Sequence, residues 1–127
     1  MTAFVYDATA LIAAEHNDRG IWAIHRRALE RRAVPIIPAG VLTETWLGNS
    51  PLLARFLTGA QVEPLDEESA RAAGVLLSNL GNRDVGAVDA TVVEVALRYG
   101  YAVLTGNHAD IKLLADSAHR TLDIVSI

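Results

Sequence analysis

The chain has 127 residues, no cysteine, 51% hydrophobic residues and a formal net charge of −4. That length suits one domain with a real core, and the missing cysteines exclude disulfides, thiolate zinc sites and a cysteine nucleophile. The acidic balance excludes a protein that coats nucleic acid by bulk charge, and no apolar run reaches the roughly 18 residues of a membrane span.

Residues 3–6, Ala3-Phe4-Val5-Tyr6, read as a first strand that ends at Asp7, before the apolar run Ala8-Thr9-Ala10-Leu11-Ile12. The segment from Ile21 to Arg32 is a helical pattern rich in arginine. Its residues Arg26 and Arg27 are either part of a solvated helix face or candidate contacts for RNA phosphates. A second strand at 34–37 leads to Pro38, which can open a helix running to Leu47 and carrying Glu44. Gly48-Asn49-Ser50-Pro51 breaks that helix from a shorter one. Trp46, Leu47, Leu52, Leu53, Phe56 and Leu57 are the candidate subunit interface around this break.

A third strand at 61–64 precedes Asp66-Glu67-Glu68, a cap and acidic first turn for a helix to Leu80. Gly81 to Gly86 is a polar loop. A helix from Val88 to Tyr99 carries Asp89 and stops at Gly100. The fourth strand, 102–105, is followed by Asp110 on a helix of roughly residues 108–119, and a fifth strand spans 122–126. The strands lack strict alternation, which suits burial on both faces. The β/α alternation predicts a three-layer α/β/α domain over residues 1–127 with a mostly parallel five-stranded sheet.

Ligands of such sheets bind beyond the carboxyl ends of the strands, where the strand order reverses. Asp7 and Asp110 both follow strands, so they converge if the first and fourth strands are neighbours. Helices carrying Glu44 and Asp89 could then complete a pocket. Singly, Asp7 or Asp89 is explained as a helix cap and Glu44 as a residue on a solvent face. Together the four suit a hard divalent cation such as Mg²⁺, which takes oxygen ligands and few protein carboxylates. The four histidines, His16, His25, His108 and His119, show no zinc-binding spacing and are expected mostly at the surface. No phosphate-cradling glycine motif is present.

Four segments carry a family resemblance: Val5-Tyr6-Asp7-Ala8-Thr9-Ala10-Leu11, Pro38-Ala39-Gly40-Val41-Leu42-Thr43-Glu44, Val88-Asp89-Ala90-Thr91-Val92-Val93 and Leu104-Thr105-Gly106-Asn107-His108-Ala109-Asp110-Ile111. In order and spacing they resemble a PIN domain, and in particular the VapC-type toxins of toxin–antitoxin pairs. The resemblance implies a Mg²⁺- or Mn²⁺-dependent endoribonuclease, a cognate antitoxin and a homodimer; the cytoplasmic setting is expected instead from the absence of cysteines. It implies a catalytic quartet of Asp7, Glu44, Asp89 and Asp110, with Asp7 and Asp89 as the metal ligands and Thr9, Thr105 and Asn107 as supporting polar groups.

Two positions depart from that pattern. Relatives often carry another Asp where Gly86 stands, with Asp84 two residues upstream here, and many have Asp at the position of Asn107. A non-catalytic PIN-like RNA- or protein-binding module is the alternative on the same scaffold. A phosphoacceptor receiver-like domain fits less well, because Asp7 is followed by Ala8 and the only lysine, Lys112, lies within the last helix.

Overall fold

A computed structural model describes residues 3–81 and 84–127; Asn82 and Arg83, in the expected polar loop, lie outside the described residues. The described residues form five strands, β1 (Phe4–Tyr6), β2 (Ile36–Pro38), β3 (Gln61–Glu63), β4 (Ala102–Thr105) and β5 (Ile124–Ser126). Seven helices connect them: α1 (Ala8–Glu15), α2 (Arg19–Glu30), α3 (Ala39–Thr45), α4 (Pro51–Thr58), α5 (Glu67–Leu80), α6 (Ala87–Tyr99) and α7 (His108–Ser117). All strand pairs are parallel, in the order β3-β2-β1-β4-β5. The three-layer α/β/α expectation therefore holds, with a sheet that is parallel throughout.

The ends of the helices follow local chemistry. Asp18, Ser50 and Asp66 each accept a hydrogen bond from the backbone N–H three residues on, capping α2, α4 and α5. Gly100 closes α6 in the left-handed region, at φ 72°, which costs a glycine little. Pro38 does two jobs, ending β2 and preceding the first turn of α3. Helix α1 is apolar on nearly every side, so the period-3.6 signal that would delimit it in the sequence is weak.

Alternation along β1 sends Tyr6 toward α2 and α4. There its hydroxyl hydrogen-bonds Nδ1 of His25 at 3.0 Å, and its ring lies against Phe56. Burial raises the Tyr6 hydroxyl above its ordinary range and lowers His25, so a neutral phenol is paired with a neutral imidazole, whose tautomer sets the donor. His25 is stacked on Phe56 at 4.0 Å and is buried, the exception among the histidines; His16, His108 and His119 are exposed, as expected of most of them. Leu53 and Phe56 are likewise fully buried in the core and cannot form a subunit interface; Trp46 and Leu47 are exposed, at 42% and 81%. The Trp22 indole donates to the carbonyl of Ala14, locking α2 to α1.

Helix α6 contributes a continuous buried run from Ala90 to Ala96 and packs on β1, β2 and β4. Its one buried carboxylate, Glu94, is held by Arg98, which also reaches Glu63 on β3 and Ser69 on α5. Arg98 thus joins the edge strand to two helices. Because Arg98 is itself partly exposed, we expect Arg98→Met to cost about 2 kcal/mol, less than a fully buried pair would. Urea unfolding would show this as a lower midpoint with an unchanged slope.

Candidate active site

The sheet order reverses between β1 and β4, whose register aligns Tyr6 with Leu104. One residue further along, Asp7 stands beside Thr105. Asp7 is 1% exposed, yet it is richly hydrogen-bonded. Its Oδ1 accepts from the Thr9 hydroxyl at 2.5 Å and from the backbone N–H of Ala10 at 3.1 Å, and its Oδ2 accepts from the Thr105 hydroxyl. Asp7 is therefore the cap of α1 as well as a member of the cluster, and the two readings of this residue are compatible.

Asp89 and Asp110 are each the third residue of their helix, α6 and α7, so both sit at a positive helix end. Neither is the capping residue; Gly86 and Asn107 hold those positions. The Asn107 amide lies between the two carboxylates, with Nδ2 2.9 Å from Asp110 Oδ2 and 3.4 Å from Asp89 Oδ2. An amide N–H₂ has two donors and can serve both acids at once, though without a full charge.

Glu44 arrives on α3, which packs against α6 with Gly40 at the contact. A Cβ there would lie 3.6 Å from Thr91 Oγ1. Glu44 is exposed, at the rim of the site.

The four acids meet electrostatically at Asp89. Its carboxyl is pushed up to about 6, first by burial, then by the charges of Asp7, Asp110 and Glu44, with the Asn107 hydrogen bond opposing. Asp84 is exposed, and the largest charge effects on Asp89 come from Asp7, Asp110 and Glu44.

Among the described residues, no three of the His, Asp and Glu side chains close into a metal cage. The donor set nonetheless fits a hard divalent cation. It is made of carboxylates, its most buried member has its oxygens oriented, and its central member is raised by three like charges that a cation would relieve. Mg²⁺ and Mn²⁺ keep several waters and need only one or two protein carboxylates. Asp7 and Asp89 are the residues that would hold it.

The remaining expected residues are placed as follows. Thr9 and Thr105 both touch Asp7, and Asn107 touches Asp89 and Asp110. Arg26 is paired with Glu30 on the exposed face of α2. Arg27 lines a groove with Phe4, at the opposite end of β1 from Asp7. The sequence reading did not find the bridging position of Asn107. Its signal was the spacing Asn107-x-x-Asp110, which puts a cap and a third helical residue side by side.

Neither a family model nor a curated protein matches the sequence. Solved structures match over nearly the whole chain. One is VapBC2 from Rickettsia felis bound to a DNA fragment from its promoter, with a TM-score of 0.78 and 14% identity over 98% of this chain and 98% of that chain. Another is DNA-bound VapBC from Salmonella typhimurium, with a TM-score of 0.72 and 19% identity over 99% of this chain and 98% of that chain. A third is VapC20 from Mycobacterium tuberculosis, described as a Sarcin-Ricin loop cleaving toxin, with a TM-score of 0.60 and 18% identity over 80% of this chain and 87% of that chain.

The architecture is thus an α/β/α domain with an acidic cluster at the switch point of a parallel sheet. It is the PIN-like fold shared with the VapC-type toxin structures.

Proposed function

We propose that this protein is a metal-dependent endoribonuclease toxin, inhibited by a cognate antitoxin and acting in the cytoplasm as a homodimer. The observation that carries the reading is the convergence of Asp7, Asp110 and Glu44 on Asp89, with Asp7 buried and oriented. The fold likeness to antitoxin-bound toxins supports the partner. None of the described helices is long and apolar enough to cross a membrane.

A bound Mg²⁺ or Mn²⁺ would neutralise a scissile phosphate and lower the pKa of a water. The chain supplies the rest. Asp7, fixed by Thr9, Ala10 and Thr105, presents an oriented carboxylate; Asp89 provides the second. Glu44 at the rim and Asp110, steadied by Asn107, orient the attacking water. In-line attack on phosphorus with departure of the 3′ oxygen leaves a 5′-phosphate and a 3′-hydroxyl. Arg26 and Arg27 lie away from the acids, where they can hold flanking RNA phosphates but take no part in bond breaking.

The cluster also suits an antitoxin that offers a basic side chain, since carboxylates anchor arginine through charge-assisted hydrogen bonds. The test of activity is incubation of pure protein with total RNA and Mn²⁺ or Mg²⁺, followed by mapping of the cut ends. Discrete cuts bearing 5′-phosphates, lost on addition of chelator, are expected. No cleavage under any divalent ion would assign the domain to binding rather than catalysis.

A further inference from the structure

The loop between β4 and α7 reaches Asp7 through two hydroxyls. Gly106 donates its main-chain N–H to Thr9 Oγ1 at 2.6 Å, and Asn107 donates its own to Thr105 Oγ1 at 2.7 Å. A hydroxyl has one proton, and an ionised carboxylate can only accept. With each oxygen receiving a backbone N–H, each threonine proton is directed onto Asp7: Thr9 to Oδ1 and Thr105 to Oδ2. Oδ1 also takes the N–H of Ala10. Oδ1 thus accepts two hydrogen bonds and Oδ2 one, which leaves Oδ2 with the unused acceptor site.

The contact between Gly106 and Thr9 is close. A Cβ at position 106 would lie 3.3 Å from both Cβ and Oγ1 of Thr9, inside the roughly 3.5–4.0 Å at which carbon atoms pack well. The φ of Gly106 lies outside the left-handed region, so the demand for glycine here is one of space and not of backbone conformation.

We propose that Gly106 is a positioning residue for the cation site: by having no side chain it lets the loop close on Thr9, polarise that hydroxyl toward Asp7 Oδ1, and leave Asp7 Oδ2 free as the ligand atom. This rests on the metal-dependent reading above. Gly106 touches no substrate and acts through Thr9. An outer partner of this kind typically changes metal affinity by 10–100-fold.

The experiment compares the unaltered chain with Gly106→Ala, Thr9→Val, Thr9→Ser and the double variant Gly106→Ala with Thr9→Val. Mn²⁺ alone is titrated against each, and hydrogen exchange of the Gly106 amide is followed without metal in the three chains that keep this glycine. We expect Gly106→Ala to keep its fold, with a thermal midpoint within a few degrees, and to bind Mn²⁺ about 10-fold more weakly. Thr9→Val should lose a similar factor, Thr9→Ser should restore most of it, and the double variant should be no worse than either single change. The Gly106 amide should exchange faster in Thr9→Val than in Thr9→Ser.

Unchanged Mn²⁺ affinity in Gly106→Ala, strictly multiplicative losses in the double variant, or an amide indifferent to Thr9→Val would each overturn the positioning role while leaving the metal reading intact. Failure of the unaltered chain to bind Mn²⁺ would overturn the metal reading itself.

Discussion

Asp89→Asn should remove RNA cleavage, by roughly a thousandfold or more, and at the same time make the metal-free protein more stable at pH 7. The two effects share one cause. Burial and the charges of Asp7, Asp110 and Glu44 raise the Asp89 carboxyl from 3.8 to about 6. A carboxyl whose pKa is higher in the folded state binds more protons there than in the unfolded chain between about pH 4 and pH 6. Its contribution to stability is therefore present at low pH and is lost as pH rises through about 6. At pH 7 the folded protein carries an ionised Asp89 against three like charges. Because the side chain is only half-buried, water screens part of this, and the gain from the neutral amide should be on the order of 1 kcal/mol. Urea unfolding with chelator present, at pH 7 and at pH 4.5, measures it: the stabilisation should be clear at the first and largely gone at the second.

Asp7→Asn should also abolish cleavage, but with the opposite sign in stability. The Asp7 carboxylate is buried and already satisfied, accepting from Thr9, Ala10 and Thr105. An amide keeps the cap of α1, since Asn caps nearly as well as Asp. It must, however, place an N–H₂ where one of two threonine hydroxyls now donates, and both hydroxyls are already turned by the backbone N–H groups of Gly106 and Asn107. One buried donor is left without an acceptor, at a cost of about 1–3 kcal/mol. Removing the Asp7 charge relieves Asp89 and offsets part of this. The pair of variants separates site electrostatics from simple damage: both inactive, one firmer than the unaltered chain and one weaker, in the same unfolding assay.

The contrast also shows what could be read from the sequence. Asp7, Asp89 and Asp110 were legible because each follows a strand or opens a helix in a β/α alternation whose strand order brings β1 beside β4. Asp89 and Asp110 could be found as acids of a first helical turn, although the sequence did not say whether they capped or faced the pocket. The amphipathic face of α4 was legible as well, but periodicity tells which face is apolar and not what covers it. Leu53 and Phe56 therefore read as an interface, when they close the core over Tyr6 and His25.

Burial of His25 depended on a partner nineteen residues away, the Tyr6 hydroxyl. The approach of Gly106 to Thr9 spans ninety-seven residues. Such pairings belong to tertiary packing, on which local pattern is silent.

The most direct test of the central claim, that Asp7, Glu44, Asp89 and Asp110 form one hard-cation pocket, is a calorimetric titration of Mn²⁺ into the metal-free protein at pH 7 and pH 5. Saturable binding is expected at pH 7, weaker at pH 5 as Asp89 takes up a proton, and reduced at least about 10-fold in Asp89→Asn. Absence of saturable binding, or an affinity indifferent to both pH and the loss of Asp89, would contradict the account.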